Sequence, residues 1–303
     1  MNLRTTVILG FFMIGLVRLS AAGMPVTVPA DTLSYEQRLD KGIEAFYQSD
    51  WNEAFSVFQY LQQKYPGDAR AYFFSSMIPF WKYYFGGKKP SAAHAFYERS
   101  EKALTVSHNQ LQSNPYDTTM VLMLSGLHGY RSLVAAGEED YRRAIESGMD
   151  GFTYTRQLLK LDAQDPKALI GKGMFYYMMG SVPDQLKWVA RFAGFSGDRA
   201  EGFRALEEAA RSNSYVRNDA KMILSYLYER EHQEKKALEH LRELAEKYPR
   251  NIIFQYHTGR LYEKCGKIDL ARKKYKLVAS MDEHSWSSMP SKSLERFRNL
   301  SGK

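Results

Sequence analysis

The sequence predicts an all-α fold, an α-solenoid of about six stacked helix-turn-helix units, three of them elongated, ended by a C-terminal capping helix. Three observations carry this. Residues recur at a step of 34 near the C-terminus, a longer unit recurs three times in the middle of the chain, and the apolar residues of a unit fall on one helical stripe.

The N-terminus reads as an address. Arg4 supplies a short positive region, Val7–Val17 is an apolar run, and Ser20–Ala22 offers small residues for cleavage before Gly23. The run is shorter than the about 20 residues of a comfortable membrane span. Residues 1–22 are therefore expected to be an export signal and 23–33 a linker, with a retained anchor as the alternative. The expected location is periplasmic or secreted, in the cell envelope. Cys265 is the single cysteine, so no intrachain disulfide exists and the fold must stand on packing.

Residues 34–66 form the first expected unit. Gly42, Ala54, Phe58, Leu61 and Pro66 occupy the frame that recurs near the C-terminus. There Ser225 and Gly259, Tyr228 and Tyr262, Ala237 and Ala271, Leu241 and Tyr275, and Leu244 and Val278 are each 34 apart. Small residues at Gly42, Gly259, Ala54, Ala237 and Ala271 let two helices cross closely, and Phe58 or Tyr275 fills the neighbouring gap. Pro66 and Pro249 stop the second helix, because proline lacks an amide hydrogen and clashes with the preceding turn.

Residues 67–214 read as three elongated units. Pro66, Pro115 and Pro166 are spaced by 49 and 51, and Ser212–Tyr215 repeats the Ser113–Tyr116 pattern 48 residues beyond Pro166. Each long unit runs from an apolar helix through a second apolar patch to glycine and then into an amphipathic segment. Ala71–Gly87, Val121–Gly137 and the stretch from Gly173 hold these patches, and their recurrence favours core packing over a single special pocket. Residues 215–283 supply two ordinary units. In 284–303, Pro290 suits a helix start, and Leu294, Phe297 and Leu300 are expected to close the end of the stack.

The 34-residue frame resembles the tetratricopeptide repeat, which implies a right-handed solenoid. Gly171–Ala210 also resembles the inclusion-body clearance and tetratricopeptide-39 family, which implies a long-hairpin geometry for the central units.

Motifs for catalysis are absent. The seven histidines show no metal-ligand spacing, and His232 and His240, eight apart, read as solvated residues of one helix. Phe85–Ser91 lacks the spacing of a phosphate loop and reads as an inter-helix loop. Cys265 falls at a turn beside Gly266 and reads as inert. No catalytic residue, metal site or cofactor is expected, and the chain is read as a non-enzyme.

The charge is uneven: residues 199–303 carry 22 Lys and Arg against 15 Asp and Glu, a net of +7, while 23–198 carry 18 against 19. Most of this reads as solvated helix face. The densest cluster, Ala271–Lys276, is claimed by repeat packing, so nucleic acid is not expected as a partner. The function expected is a scaffold that binds protein or peptide segments in its concave groove. First helices should line that groove, with Tyr226, Tyr256 and Arg260 as contacts, Leu39 and Ile43 in the first unit, and Trp81 and Trp188 in the aromatic stretches. Two alternatives stand beside it. One is a carrier of an apolar small molecule or lipid in the aromatic central units, decided by whether Trp81 and Trp188 surround a cavity or fill it. The other is a peripheral membrane protein held to anionic lipid by the basic C-terminal third.

Overall fold

A computed structural model describes residues 33–161, 165–181, 197–214, 216–281 and 287–301; the expected export signal and Trp188 lie outside the described residues. Thirteen α-helices and no strand occur among them. Two short helices, α1 (Tyr35–Tyr47) and α2 (Trp51–Lys64), form the first hairpin. Two long hairpins follow: α3 (Ala69–Phe85) with α4 (Pro90–Ser113), and α5 (Thr118–Gly137) with α6 (Tyr141–Leu161). The third long unit holds α7 (Pro166–Gly180) and α8 (Arg199–Arg211). Two ordinary hairpins come next, α9 (Arg217–Arg230) with α10 (Glu234–Lys247) and α11 (Ile252–Lys264) with α12 (Ile268–Ala279), and α13 (Met289–Ser301) packs on α12. None of the described helices is long and apolar enough to cross a membrane.

The repeat is written into the backbone at both ends of each hairpin. Where one unit passes to the next, a Pro-x-Asp/Asn tripeptide ends one helix and caps the following one. Pro66, Pro115 and Pro249 stand two residues before Asp68, Asp117 and Asn251. The side chains of these three accept the first-turn amides of α3, α5 and α11 at 2.9–3.1 Å. Each such cap is worth about 1 kcal/mol. Pro166 departs from the expected role: it is the first residue of α7, behind the capping Asp165, and stops nothing.

Within the hairpins, the turn after the first helix holds a residue with positive φ: Ser49, Gly87, Glu139, His232 or Gly266. In each case the next amide reaches back five residues to a helix carbonyl, as Asp50 does to Ala45, Lys88 to Tyr83, Asp140 to Ala135, Gln233 to Tyr228 and Lys267 to Tyr262. This is the Schellman closure of a helix C-terminus, and its left-handed residue is the reason the chain reverses there. His232 thus sits in a turn and does not share a helix with His240, which corrects the sequence expectation.

Small residues sit where helices cross, as the frame requires. A Cβ on Gly42 would stand 2.5 Å from the Phe58 ring, and one on Gly259 would stand 3.0 Å from the Tyr275 ring. Ala54, Ala237 and Ala271 are fully buried. At the C-terminal end Phe297 and Leu300 are partly buried against the core, but Leu294 is exposed and Met289 takes the buried place expected of it.

In α3, Pro79 removes the donor that the Ser75 carbonyl would otherwise receive from residue 79. Arg99 of α4 supplies one instead, Nη1 to O at 3.3 Å, so the apolar helix continues through its proline.

One feature exceeds the expectation of stacked neighbours alone. The first two units fold back on the fifth and sixth, and side chains make a seam between them. The Tyr47 hydroxyl donates to Asp219 of α9, and Asn251 Nδ2 donates to the Tyr47 carbonyl at 2.6 Å. Arg250 pairs with Asp50 at 2.5 Å, and the Tyr47 and Tyr248 rings stack at 5.1 Å. Deeper in, Trp81 meets Phe254 and Phe85 meets His257, each pair at 5.8 Å between ring centroids.

Asp219 is the titratable point of this seam. Burial pushes its carboxyl up to about 6 from an ordinary 3.8, against the Tyr47 hydrogen bond, which lowers it. A carboxyl with a raised native pKa holds its proton more tightly when folded, so its contribution is complete below about pH 4 and is lost as pH rises through 6. Asp219→Asn, which mimics the neutral acid, should therefore melt higher relative to the wild type at pH 7.5 than at pH 4.5. Thermal melts of both proteins across that range check this; a difference that does not change with pH would show Asp219 to be ordinary.

Candidate functional site

The folded-back units surround a half-open cavity of about 1460 Å³, lined by α3, α5, α6, α7, α9, α10, α11 and α13. Its walls differ in chemistry. The side formed by the long units is apolar, and four large side chains stand open on it, Leu133 of α5, Ile145 and Met149 of α6 and Met178 of α7, joined by Tyr226 of α9 from the fifth unit; the five are between 46% and 64% exposed. In α6 the residues Tyr141, Ile145, Met149 and Phe152 are spaced i, i+4, i+8 and i+11, one stripe of a helix.

Glycines keep this wall close-set yet shallow. α5 and α6 cross where a Cβ on Gly151 would lie 3.2 Å from the Ser125 carbonyl oxygen, and the Ser125 and Thr155 hydroxyls bond at 2.7 Å beside it. Gly129 lines the cavity and faces open space.

The opposite end is polar but largely self-neutralised. Glu229 is bonded by Lys264 at 2.7 Å and Arg260 at 3.1 Å. Burial works to raise the Glu229 carboxyl, but those cations outweigh it and hold it below its usual range. Glu263 takes Arg296 at 2.8 Å and the Tyr275 hydroxyl at 2.6 Å. His257 is pushed down to about 4, first by burial and then by Arg260; it is neutral near pH 7 and faces an Arg260 donor with Nδ1 at 3.2 Å.

Of the side chains expected from sequence, Tyr226, Tyr256 and Arg260 come together on this cavity. Tyr226 is half-exposed; Tyr256 is almost buried. Trp81 is 1% exposed and fills the seam, which corrects its placement as a partner contact. Leu39 is likewise buried in the core, and Ile43 packs partly buried against it. The α6 stripe was missed, since an apolar stripe reads alike in sequence whether a neighbour covers it or not.

His94 and His232 are exposed, as expected of solvated residues, but His108, His128 and His240 are partly buried and partnered. His108 Nε2 lies 2.7 Å from the Tyr154 hydroxyl, and His128 stacks on the Tyr154 ring with Asp150 at 3.6 Å. His240 stacks on Tyr228 and meets Glu207 at 3.1 Å. Among the described residues no group of His, Cys, Asp and Glu could hold a metal ion.

The family model described as Iml2/Tetratricopeptide repeat protein 39 matches residues 167–288. No curated protein sequence matches the chain. Among solved structures, the chain is similar to TTC0263, a thermophilic TPR protein of Thermus thermophilus: 13% identity, 75% of this chain and 98% of that one, TM-score 0.47. A tetratricopeptide repeat protein from Parabacteroides merdae shares 12% identity over 88% of this chain and 89% of its own, TM-score 0.37. The human IFIT1 dimer with PPP-AAAA shares 14% identity over 88% of this chain and 63% of its own, TM-score 0.42.

Proposed function

We propose that the chain is an exported, non-catalytic scaffold that holds an apolar helical segment of a partner protein in its central cavity. Stacked helical repeats generally present concave surfaces for other proteins. The observation that carries the finer reading is the open part of the α6 stripe, Ile145 and Met149, with Leu133, Met178 and Tyr226 beside it, each more than 45% exposed on the cavity. From Tyr141 to Met149 the exposed stripe runs about 12 Å at 1.5 Å per residue, enough for two turns of a docked helix, and Phe152 beyond it stacks on Phe175. Met149 and Met178 suit such a partner, because unbranched thioether chains adapt to irregular apolar faces. The volume also exceeds the about 300–1,000 Å³ usual for small-molecule sites, which favours a polypeptide over a lipid or a small apolar ligand. Export rests on the Val7–Val17 run and the small residues after it.

The test uses a fluorescent amphipathic 18-residue peptide with a leucine face as probe. Ile145→Glu with Met149→Glu should weaken its binding at least tenfold and leave the thermal melt unchanged, since both residues are exposed. Unaltered affinity would sink the reading; binding of an apolar dye in place of the peptide would move it to a small-molecule carrier.

A further inference from the structure

A second, smaller cleft of about 310 Å³ lies away from the central cavity, between α3 and α4, with Lys82 and Arg99 on its walls and Lys89 and Ser91 at the start of α4. Ile78, Pro79, Ala92 and Ala95 line the rest. The aromatics of α2 hold the two inner cations in place: the Lys82 ammonium is 5.7 Å from the Trp51 ring centroid, and the Arg99 guanidinium is 4.3 Å from that of Phe55.

Both cations are partly buried, and among the described residues neither has a carboxylate within ion-pair distance. Arg99 gives one hydrogen bond to the Ser75 carbonyl that Pro79 leaves without its helix donor. Its sequence neighbour Glu98 is exposed and turned to Lys102 at 3.5 Å. Burial, and then the positive charge of Arg99, hold the Lys82 ammonium below its usual range; burial holds Arg99 below its own. Two half-buried like charges in one cleft, Arg99 weakening Lys82 while Glu98 offsets part of the burial of Arg99, are costly unless an anion joins them.

We propose that this cleft binds a phosphate group, with Arg99 and Lys82 as its charge partners and Lys89 and the Ser91 hydroxyl closing on its outer oxygens. Two inner cations match a dianion better than a carboxylate, and a planar guanidinium beside an ammonium is a common way of meeting tetrahedral oxygens. The positive end of the 24-residue α4, whose N-cap Lys89 makes no side-chain capping bond, adds to the same potential. The cleft lacks the glycine-rich spacing of a nucleotide loop and has room for one phosphate and a short attached group. The group recognised is the phosphate itself, free or on a lipid headgroup.

Inorganic phosphate is the first probe, followed by ³¹P NMR and by thermal shift at constant ionic strength against chloride and sulfate. Saturable binding in the low millimolar range or tighter is expected, with at least a tenfold loss in Lys82→Gln, a variant that breaks no backbone contact. Arg99→Lys should also lose affinity; because Arg99 supports α3, the Lys82 ¹⁵Nζ resonance in the wild-type protein gives a readout independent of folding, and it should shift toward the charged form on titration. Glycerol 3-phosphate then distinguishes a lipid headgroup from free phosphate by whether it binds more tightly than phosphate alone, and tighter binding of O-phosphoserine than of either would overturn both sources. No phosphate effect beyond chloride, an equal response to phosphate and sulfate at high concentration only, as for an adventitious ion, or unchanged binding in Lys82→Gln would each overturn the assignment.

Discussion

Gly202→Ala is expected to destabilise the protein by about 3 kcal/mol, although alanine is the better helix former. On propensity alone the change should stabilise α8 by about 1 kcal/mol. The crossing of α7 and α8 decides otherwise. A Cβ on Gly202 would lie 2.6 Å from the Tyr177 amide nitrogen and 2.7 Å from the Gly173 carbonyl oxygen, and one on Gly173 would lie 2.5 Å from Leu206 Cγ. The first two neighbours are backbone, so no rotamer change relieves the clash, and the helices must part. Parting them would also strain the contacts that tie this unit to the next, where Glu231 accepts from the Tyr177 hydroxyl at 2.8 Å and from Arg199 at 3.1 Å. Gly129→Ala is the control: its Cβ meets nothing within 4 Å, so there the propensity gain should appear alone. Urea melts of both variants, with hydrogen exchange over α7 and α8, make the comparison. Equal and small effects at the two positions would mean that the α7–α8 crossing is looser than these distances require.

How much of this was legible in the sequence follows from the range of each interaction. The 34-residue step and the Gly42–Phe58 and Gly259–Tyr275 crossings were readable, because each lies within one hairpin and depends on residue size at fixed spacing. The Pro-x-Asp/Asn junctions were half read: the prolines marked helix ends, while the capping role of Asp68, Asp117 and Asn251 two residues later went unremarked. Of the left-handed turn residues Gly87 and Gly266 carry the usual signal, but Ser49, Glu139 and His232 occupy positions where glycine would be expected and could not be read from composition. The seam was beyond reach for a different reason. Tyr47 meets Asp219 and Asn251 across 172 and 204 residues, and whether they meet depends on the small rotation at every intervening unit. For the same reason Trp81 was only half read: the core packing favoured for Ala71–Gly87 is where it lies, but it was not readable that its last neighbour, Phe254, comes from the far end of the chain.

Trp81→Ala should cost about 3–5 kcal/mol, the usual scale for deleting a buried large aromatic. The indole is 1% exposed and is ringed by Phe46 at 4.8 Å, Phe85 at 5.6 Å, Phe254 at 5.8 Å, Tyr47 at 6.1 Å and Trp51 at 6.4 Å. These come from α1, α2, α3 and α11, so one side chain joins the first two units to the sixth. Its loss should therefore do more than leave a hole. A label pair at positions 48 and 250, where the Arg250 amide donates to Gln48 at 3.2 Å, should move apart as the seam loosens, even below the melting transition. Phe58→Ala separates the two effects: Phe58 is as fully buried, but it packs inside the first hairpin against Gly42 and stacks on Phe74, away from the seam. It should lower stability by a similar amount and leave the 48–250 distance unchanged in the folded protein. If both variants widened that distance equally, the seam would be a by-product of overall stability. If Trp81→Ala changed neither the stability nor that distance, the two ends would be meeting without Trp81, and the cavity would owe its shape to other contacts.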